Sequence, residues 1–428
     1  MTRITVREYA RLTTEPVDTP TFDRAQVSPS AFDWLCQLNS TFGRGGASLV
    51  QVDGRRWLRL DNYVGVLETP CGTCLEILPK HVHDAEGAAP SRKLLRRMIQ
   101  SSLELSTREV GAAELELFEA PLSEWVMHRF LVALDELVQR GVRFDYERIE
   151  DEQPFLRGQL DVAAQMRQPP SRAHRFRLRH DRFSPNRPEN RLLKCALERV
   201  CTATRSSDNW RLAQELRHRL SDVPASRDVK TDSNAWRTDR LMAHYQPVRP
   251  WCQLILDKTL PLAVAGHHHG MSLLFPMEQL FEQYVAHHLK RAAPPGTRVH
   301  TQATGAWLCR HRGRNLFQLR PDLLVEQGAR RWVLDTKWKR LAHDATNYGL
   351  SQSDIYQLFA YGHRYLKGHG DVALIYPAHA MFDRALEAFE FSPTHRLWVL
   401  PFDLDSAALI GGEAVGLLFS GKGNRGMT

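Results

Sequence analysis

A chain of 428 residues has room for two or three domains with separate cores, and 43% apolar with 25% charged residues is the balance of a folded globular protein, which excludes large-scale disorder. Seven scattered cysteines do not make a disulfide framework, and with no apolar leader and no run near the ~18 residues of a membrane span, a cytoplasmic protein without a membrane partner is expected. A formal net charge of +8 and a pI near 9.2 favour a polyanionic partner over a neutral one.

Residues 1 to about 85 are expected to be β-rich. Short apolar runs at 4–6, 49–52, 57–60, 63–67 and 75–78 are separated by Gly, Asp and Pro, with a helix at 30–42 between them. That spacing predicts a small barrel or sandwich over 1–88, a platform for binding another macromolecule. Cys71-Gly72-Thr73-Cys74 has half the spacing of a zinc site, but no second pair lies near it, so a hairpin turn is expected. After a Gly- and Ala-rich break at 84–90, residues 93–106, 121–141 and 190–206 carry apolar positions three and four apart, and Gly141 is placed to cap a helix. Residues 155–162 read as a strand, so 89–265 is expected to be a mostly helical connecting domain with a small β insertion. The polar stretches 181–190 and 222–239 read as loops, the second a mobile excursion. His267-His268-His269, between Gly266 and Gly270, cannot all face one ion on a regular element and also reads as a loop. No GxxxxGK[ST] phosphate loop occurs, so nucleotide-driven work would belong to another chain.

The densest chemistry lies in 270–400. Met277, Leu280, Phe281, Tyr284 and Val285 form a helical stripe, with Glu278 and Glu282 on its other flank. Two apolar runs, 316–325 and 331–338, flank Glu326-Gln327-Gly328-Ala329 and predict a β-hairpin. With Val325 opposite Arg330, Asp335 falls opposite Arg320, and period-two alternation puts Asp322, Asp335 and Lys337 on one face. Two carboxylates there can reach one hard cation such as Mg²⁺, and a lysine beside it can orient the attacking water or stabilise charge on a phosphate. That is phosphodiester hydrolysis. On a solvated hairpin the same charges would simply pair with Arg320 and Arg331. Downstream, Ser353-Asp354 predicts a helix start, Gln357 and Tyr361 stand four apart on one side of that helix, and 372–376 reads as a buried strand closed by Pro377. Basic clusters at Arg92-Lys93 with Arg96-Arg97, from Arg172 to Arg182, and at Arg310-His311-Arg312-Gly313-Arg314 each fit a solvated face, and their sum fits DNA. Residues 401–428 are expected to be a tail.

Pro321-Asp322, a twelve-residue spacer and Asp335-x-Lys337 resemble the PD-(D/E)xK nuclease motif. The order helix, hairpin, helix, strand is that fold's core, and Gln357-x-x-x-Tyr361 resembles the extra motif of its RecB-like branch. Most of the chain resembles the McrC family, the nuclease subunits of McrBC-type modification-dependent restriction systems. The likeness runs through Arg7-Glu8-Tyr9, Asn62-Tyr63-Val64-Gly65-Val66-Leu67, Leu75-Glu76-Ile77-Leu78-Pro79-Lys80 and Leu156-Arg157-Gly158-Gln159-Leu160-Asp161. It continues through Glu189-Asn190-Arg191-Leu192-Leu193-Lys194, Pro276-Met277-Glu278-Gln279-Leu280-Phe281-Glu282 and the hairpin.

The resemblance implies an α+β multidomain protein with a β-rich amino-terminal domain, a helical middle and a carboxy-terminal PD-(D/E)xK α/β domain on a mixed sheet. It implies a hetero-oligomer with a McrB-like AAA+ GTPase that reads modified DNA, 5-methylcytosine included, while this chain docks by its amino-terminal region and cuts double-stranded DNA as an endonuclease. Asp322, Asp335 and Glu282 would hold Mg²⁺, with Glu278 an alternative to Glu282. Lys337 would assist the water, and Gln357 and Tyr361 would line the site near the DNA backbone. Two rival readings are a RecB-like repair nuclease with a helicase partner and a regulatory subunit that activates an AAA+ ring. The intact Asp322, Asp335 and Lys337 set argues against a relic site.

Overall fold

The computed structural model describes residues 2–42, 49–54, 56–80, 87–103, 121–172, 174–256, 272–341, 345–412 and 416. The chain divides into two compact units, Met1–Glu119 with Ser272–Thr428, and Ala120–Met271. This differs from the consecutive domains expected above, and main-chain pairing across some 200 residues of sequence is the reason.

In the first unit, strands Arg3–Arg7, Cys74–Leu78, Tyr63–Glu68 and Leu273–Pro276 form one sheet in that order. The expected β-rich start is therefore present, but its fourth strand comes from much later in the sequence, just before the expected helical stripe that opens at Met277. Gly65 makes this junction possible. Its φ is +132°, and a Cβ there would stand 1.9 Å from the carbonyl oxygen of Leu273, its neighbour's backbone partner. A second small sheet joins Arg24–Gln26, Arg11–Thr13, Trp57–Leu60 and Val50–Asp53. Cys71 and Gly72 sit in the turn that Thr69 closes, its N–H donating to the Thr73 carbonyl at 2.9 Å. Helix Ala88–Ser102 buries Leu94, Leu95, Met98 and Ile99, and it packs against helix Met277–Ala292, which buries Leu280, Phe281, Tyr284 and Leu289. Each such side chain contributes roughly 1.5–3 kcal/mol of burial.

The first unit also holds a mixed seven-stranded sheet. Its order is Thr297–Thr301, Leu323–Gln327, Arg330–Thr336, Gly370–Pro377, His395–Asp403 and Phe389–Ser392, with Ala408–Leu409 on His395–Asp403. Its central pairs, Arg330–Thr336 with Gly370–Pro377 and Gly370–Pro377 with His395–Asp403, are parallel. Val333, Val372, Leu374, Leu397 and Val399 pack there with Leu358 and Tyr361 of helix Gln352–Tyr365. Unbroken apolar runs in these strands follow from burial on both faces. Sheet residues thus extend to Leu409, into the stretch expected to be a tail. The apolar run 316–325 is also not one strand: it breaks at Arg320-Pro321-Asp322, where Pro321 has no N–H for a ladder. Arg314–Leu319 pairs instead with Ala306–His311 in a separate two-stranded ribbon.

The second unit packs helices Leu122–Arg140, Pro188–Ala203, Ser207–Arg219, Val229–Ala235 and Arg249–Leu256 around Phe130, Leu134, Leu197, Val200 and Trp251. A three-stranded antiparallel sheet, Asp145–Gln153, Phe176–Ser184 and Gln159–Leu160, is the β insertion. Only Gln159–Leu160 of the expected strand 155–162 is extended, because the Asp161 carboxylate accepts the Ala164 N–H at 3.0 Å and starts helix Val162–Met166. Of the expected loop 181–190, the first part continues a strand to Ser184 and the last opens a helix with Pro188 in its first turn. The stretch 222–239 is likewise not a free excursion. It holds helix Val229–Ala235, capped by Asp228 and tied down by Arg191 Nε, which donates to Asp232 Oδ2 at 2.9 Å. His267–His269 lies outside the described residues.

Candidate active site

The hairpin turn is tighter than expected. Gln327 pairs with Arg330 and Leu323 with Leu334, so the register carries Asp322 opposite Asp335 in place of Arg320. The difference is two residues, which preserves parity, and the shared face survives. Asp335 is 1% exposed in the buried end of its strand. Lys337 follows the strand, its N–H donating to the Ile375 carbonyl at 2.9 Å and its Nζ 2.6 Å from Asp335 Oδ2.

A chain of contacts fixes this lysine. Lys337 Nζ donates to Gln357 Oε1 at 3.4 Å, Gln357 Nε2 to the Tyr361 hydroxyl at 2.7 Å, and that hydroxyl to the Arg320 carbonyl at 3.0 Å. The chain thus returns to the turn that carries Asp322. On the other side, Asp322 Oδ2 accepts from both the N–H and the hydroxyl of Thr336, each at 2.7 Å. Five of the expected residues, Asp322, Asp335, Lys337, Gln357 and Tyr361, therefore meet in one place. Glu282 lies close enough to feel the charge of Asp322, and Gln302 Nε2 donates to its Oε1 at 2.5 Å. Gln302 in turn donates its backbone N–H to the Asp322 carbonyl at 2.9 Å. Glu278 is exposed on the same helix, and its charge acts on Glu8 and Tyr9.

The electrostatics are those of carboxylates held against their preference. Burial, and then the charge of Asp322, pushes Asp335 up to about 7. Burial also raises Asp322 despite the Thr336 hydrogen bonds, and burial together with Asp322 pushes Glu282 up to about 7. Burial would pull the Lys337 ammonium down, but Asp335, Asp354 and Asp322 together hold it above its ordinary value. At neutral pH one ammonium thus faces several carboxylates that resist ionising side by side. Among the described residues no three His, Cys, Asp or Glu side chains converge closely enough to hold a metal on their own. Two buried, mutually repelling oxygen donors are nevertheless the donor chemistry of a hard cation that takes only one or two carboxylates from the protein.

Three neighbours of this site have no local signal in the sequence. Asp354, 7% exposed, lies 3.8 Å from Lys337 Nζ and 3.5 Å from Lys339 Nζ, and had read only as a helix start. Thr336 is the residue between Asp335 and Lys337, whose side chain reaches Asp322. Glu8, fully buried, accepts from the Lys80 N–H at 2.8 Å and the Trp338 indole at 2.7 Å, and so seats the residue after Lys337. Burial pushes Glu8 up to about 7. Its only sequence signal is its place in the Arg7-Glu8-Tyr9 resemblance.

Among the described residues no helix is long and apolar enough to cross a membrane. A chain solved in the refined half-complex of a tetradecameric assembly of Thermococcus gammatolerans McrB AAA+ hexamers with bound McrC has a similar fold. Its TM-score is 0.68 at 18% identity, over 94% of this chain and 95% of that one. A chain of the Thermococcus gammatolerans McrBC complex aligns with a TM-score of 0.51 at 20% identity, over 68% of this chain and 88% of that one. No curated protein matches. Residues 58–377, from the amino-terminal sheet through the strand after Lys337 and Gln357, match the family described as McrBC 5-methylcytosine restriction system component, and the chain belongs to that family.

Proposed function

We propose that this chain is the Mg²⁺-dependent DNA endonuclease subunit of a McrBC-like restriction system, with a PD-(D/E)xK site. The observation that carries the reading is the chain of contacts Asp335–Lys337–Gln357–Tyr361–Arg320, with the buried Asp322 carboxylate held beside it by Thr336. Asp322 and Asp335 would hold the ion, and Glu282, held by Gln302, would stand beside them as a further acceptor for the ion's waters. Bound there, Mg²⁺ supplies Lewis-acid polarisation of a phosphate and lowers the pKa of water. Lys337, kept protonated by its carboxylate neighbours, orients the water and stabilises charge on the phosphate oxygens. Gln357 and Tyr361 fix the ammonium, and Thr336 fixes the Asp322 carboxylate. The buried floor beneath them limits competing solvent.

One of the solved complexes it resembles contains McrB AAA+ hexamers with bound McrC, and no phosphate-loop motif occurs in this chain. We therefore assign nucleotide hydrolysis and the reading of modified bases to a McrB-like GTPase partner, which this chain stimulates and by which it is activated. The test is cleavage of 5-methylcytosine-containing duplex by the full chain with that partner, GTP and Mg²⁺. Cutting should stop in excess EDTA and in Asp335→Ala. Cutting that persists in either case overturns the site. The chain alone should bind methylated and unmethylated duplex equally and with steep salt dependence; a large preference for methylated duplex would move the reader into this chain.

A further inference from the structure

Charge is partitioned sharply around the candidate site. Between Glu282 and Asp322, residues 283–321 contain seven Lys and Arg and no Asp or Glu. Within this segment, the ribbon of Ala306–His311 and Arg314–Leu319 pairs only with itself among the described residues, outside the seven-stranded sheet. Its base is nevertheless firmly held. Arg364 donates from Nε to the Trp307 carbonyl and from Nη2 to the Leu308 carbonyl, both at 2.7 Å. The Tyr365 hydroxyl lies 2.8 Å from the carbonyls of both Ala303 and Leu319. Arg364 and Tyr365 end the same helix that carries Gln357 and Tyr361.

The tip has the opposite character. Arg310, Arg312 and Arg314 are all exposed, and none has a carboxylate within 4 Å among the described residues; the one side-chain hydrogen bond at the tip runs from Arg310 to the Gly313 carbonyl at 3.5 Å. The guanidinium of Arg320, between ribbon and Asp322, is likewise held only by Gln318 among the described residues, at 2.7 and 3.0 Å. Unneutralised arginines on a rigidly based ribbon are what phosphate contacts require, because each can displace a condensed counterion. A six-residue strand spans roughly 20 Å at ~3.3 Å per residue, which equals about six base-pair steps of duplex.

We propose that the Ala306–Leu319 ribbon is a phosphate-gripping arm that holds double-stranded DNA about half a helical turn to one side of the cut. The arm positions the duplex and takes no part in the chemistry. This rests on the nuclease reading above. It adds a surface and a direction to it.

The experiment uses the full chain, a fluorescein-labelled 30-bp duplex (~30 bp exceeds the proposed reach severalfold), EDTA to prevent cutting, and anisotropy titrations across a range of salt. The triple substitution Arg310→Ala, Arg312→Ala, Arg314→Ala should reduce the slope of log K against log salt by about 2–3 and weaken binding by about 10–100-fold near 0.1 M salt. The triple Arg→Lys chain should keep the slope, which separates lost charge from lost fold. With Mg²⁺ and partner, the alanine chain should show a raised KM and a kcat within about threefold of the parent at saturating duplex. A parent that binds and cuts, with an alanine chain of unchanged slope and affinity, overturns the arm alone; so does a fall in kcat at unchanged KM. A parent that binds steeply but never cuts overturns the nuclease reading and leaves the arm standing. A parent with no affinity for duplex overturns both.

Discussion

The site hairpin in the first unit and the three-stranded sheet in the second are both dense in charge, and they treat it in opposite ways. In the second unit Glu152 has Arg172, Arg175 and Arg177 at 3.8, 3.3 and 3.4 Å, and Arg179 lies 3.0 Å from Glu150 and 2.6 Å from Asp161. These arginines are about half exposed, so water and neighbours neutralise them cheaply. In the hairpin, Asp335 has one ammonium and a second carboxylate for company, and almost no water. Number of charges does not distinguish the two regions. Burial of like charges that fold stability alone would remove does distinguish them, and it is what makes the hairpin the candidate site.

The sharpest way to break this contrast is Lys337→Ala or Asp322→Asn. Either should lower cleavage by at least about 10³-fold in single-turnover assays. Asp322→Asn should leave the melting temperature within a few degrees, since the amide can still accept from Thr336 and its charge no longer opposes Asp335. A chain that loses its fold instead would show that the carboxylate serves structure.

Gly65→Ala tests how far the first unit depends on its own seam. The Cβ would strike the Leu273 carbonyl oxygen, and the cost should exceed about 3 kcal/mol. Calorimetry should resolve the damage as an earlier transition of the first unit, with that of Ala120–Met271 unmoved. A single unshifted transition would refute the seam.

Glu8→Gln examines a buried carboxyl outside the hairpin. Because the folded pKa, about 7, lies above the unfolded value of 4.5, the parent's neutral Glu8 contributes fully below about pH 4.5 and that contribution is lost as pH rises to 7. Glutamine has no such loss. Chemical denaturation should therefore move in favour of the variant by up to roughly 3 kcal/mol between pH 4.5 and 8. A gap that does not change with pH would mean that Glu8 titrates as an exposed carboxylate. The smallest effect belongs to the second unit: Arg179→Ala should cost less than about 1 kcal/mol in urea and leave cleavage unchanged.

What the sequence made legible follows from the range of each signal. The common face of Asp322, Asp335 and Lys337 depends on parity alone, so it survived a turn two residues tighter than expected. Gln357 and Tyr361 are four apart on a helix and needed only that period. Gln302, Asp354 and Glu8 lie 20, 17 and 330 positions from their partners Glu282, Lys337 and Trp338, and no local pattern carries such pairings. The strand Leu273–Pro276 was missed for the same reason. Its partner is about 200 residues away, and four apolar residues before a helix carry no mark of the sheet they will join. Local polarity misled in the other direction at 222–239, where Asp232 is polar because it anchors Arg191.

The discontinuous first unit imposes a timetable on synthesis. Strand Tyr63–Glu68 leaves the ribosome with one edge open, and its partner Leu273–Pro276 follows only after all of Ala120–Met271 has been made. At ~5–20 residues per second that wait is roughly 8–30 s. During it the second unit can fold on its own, while a bare apolar edge invites pairing with another nascent chain. The strands flanking Asp335 on its parallel side, Gly370–Pro377 and His395–Asp403, emerge later still. Premature termination therefore yields a chain without the floor on which Asp335 and Lys337 stand, and translation itself sets the candidate site as the last part to exist.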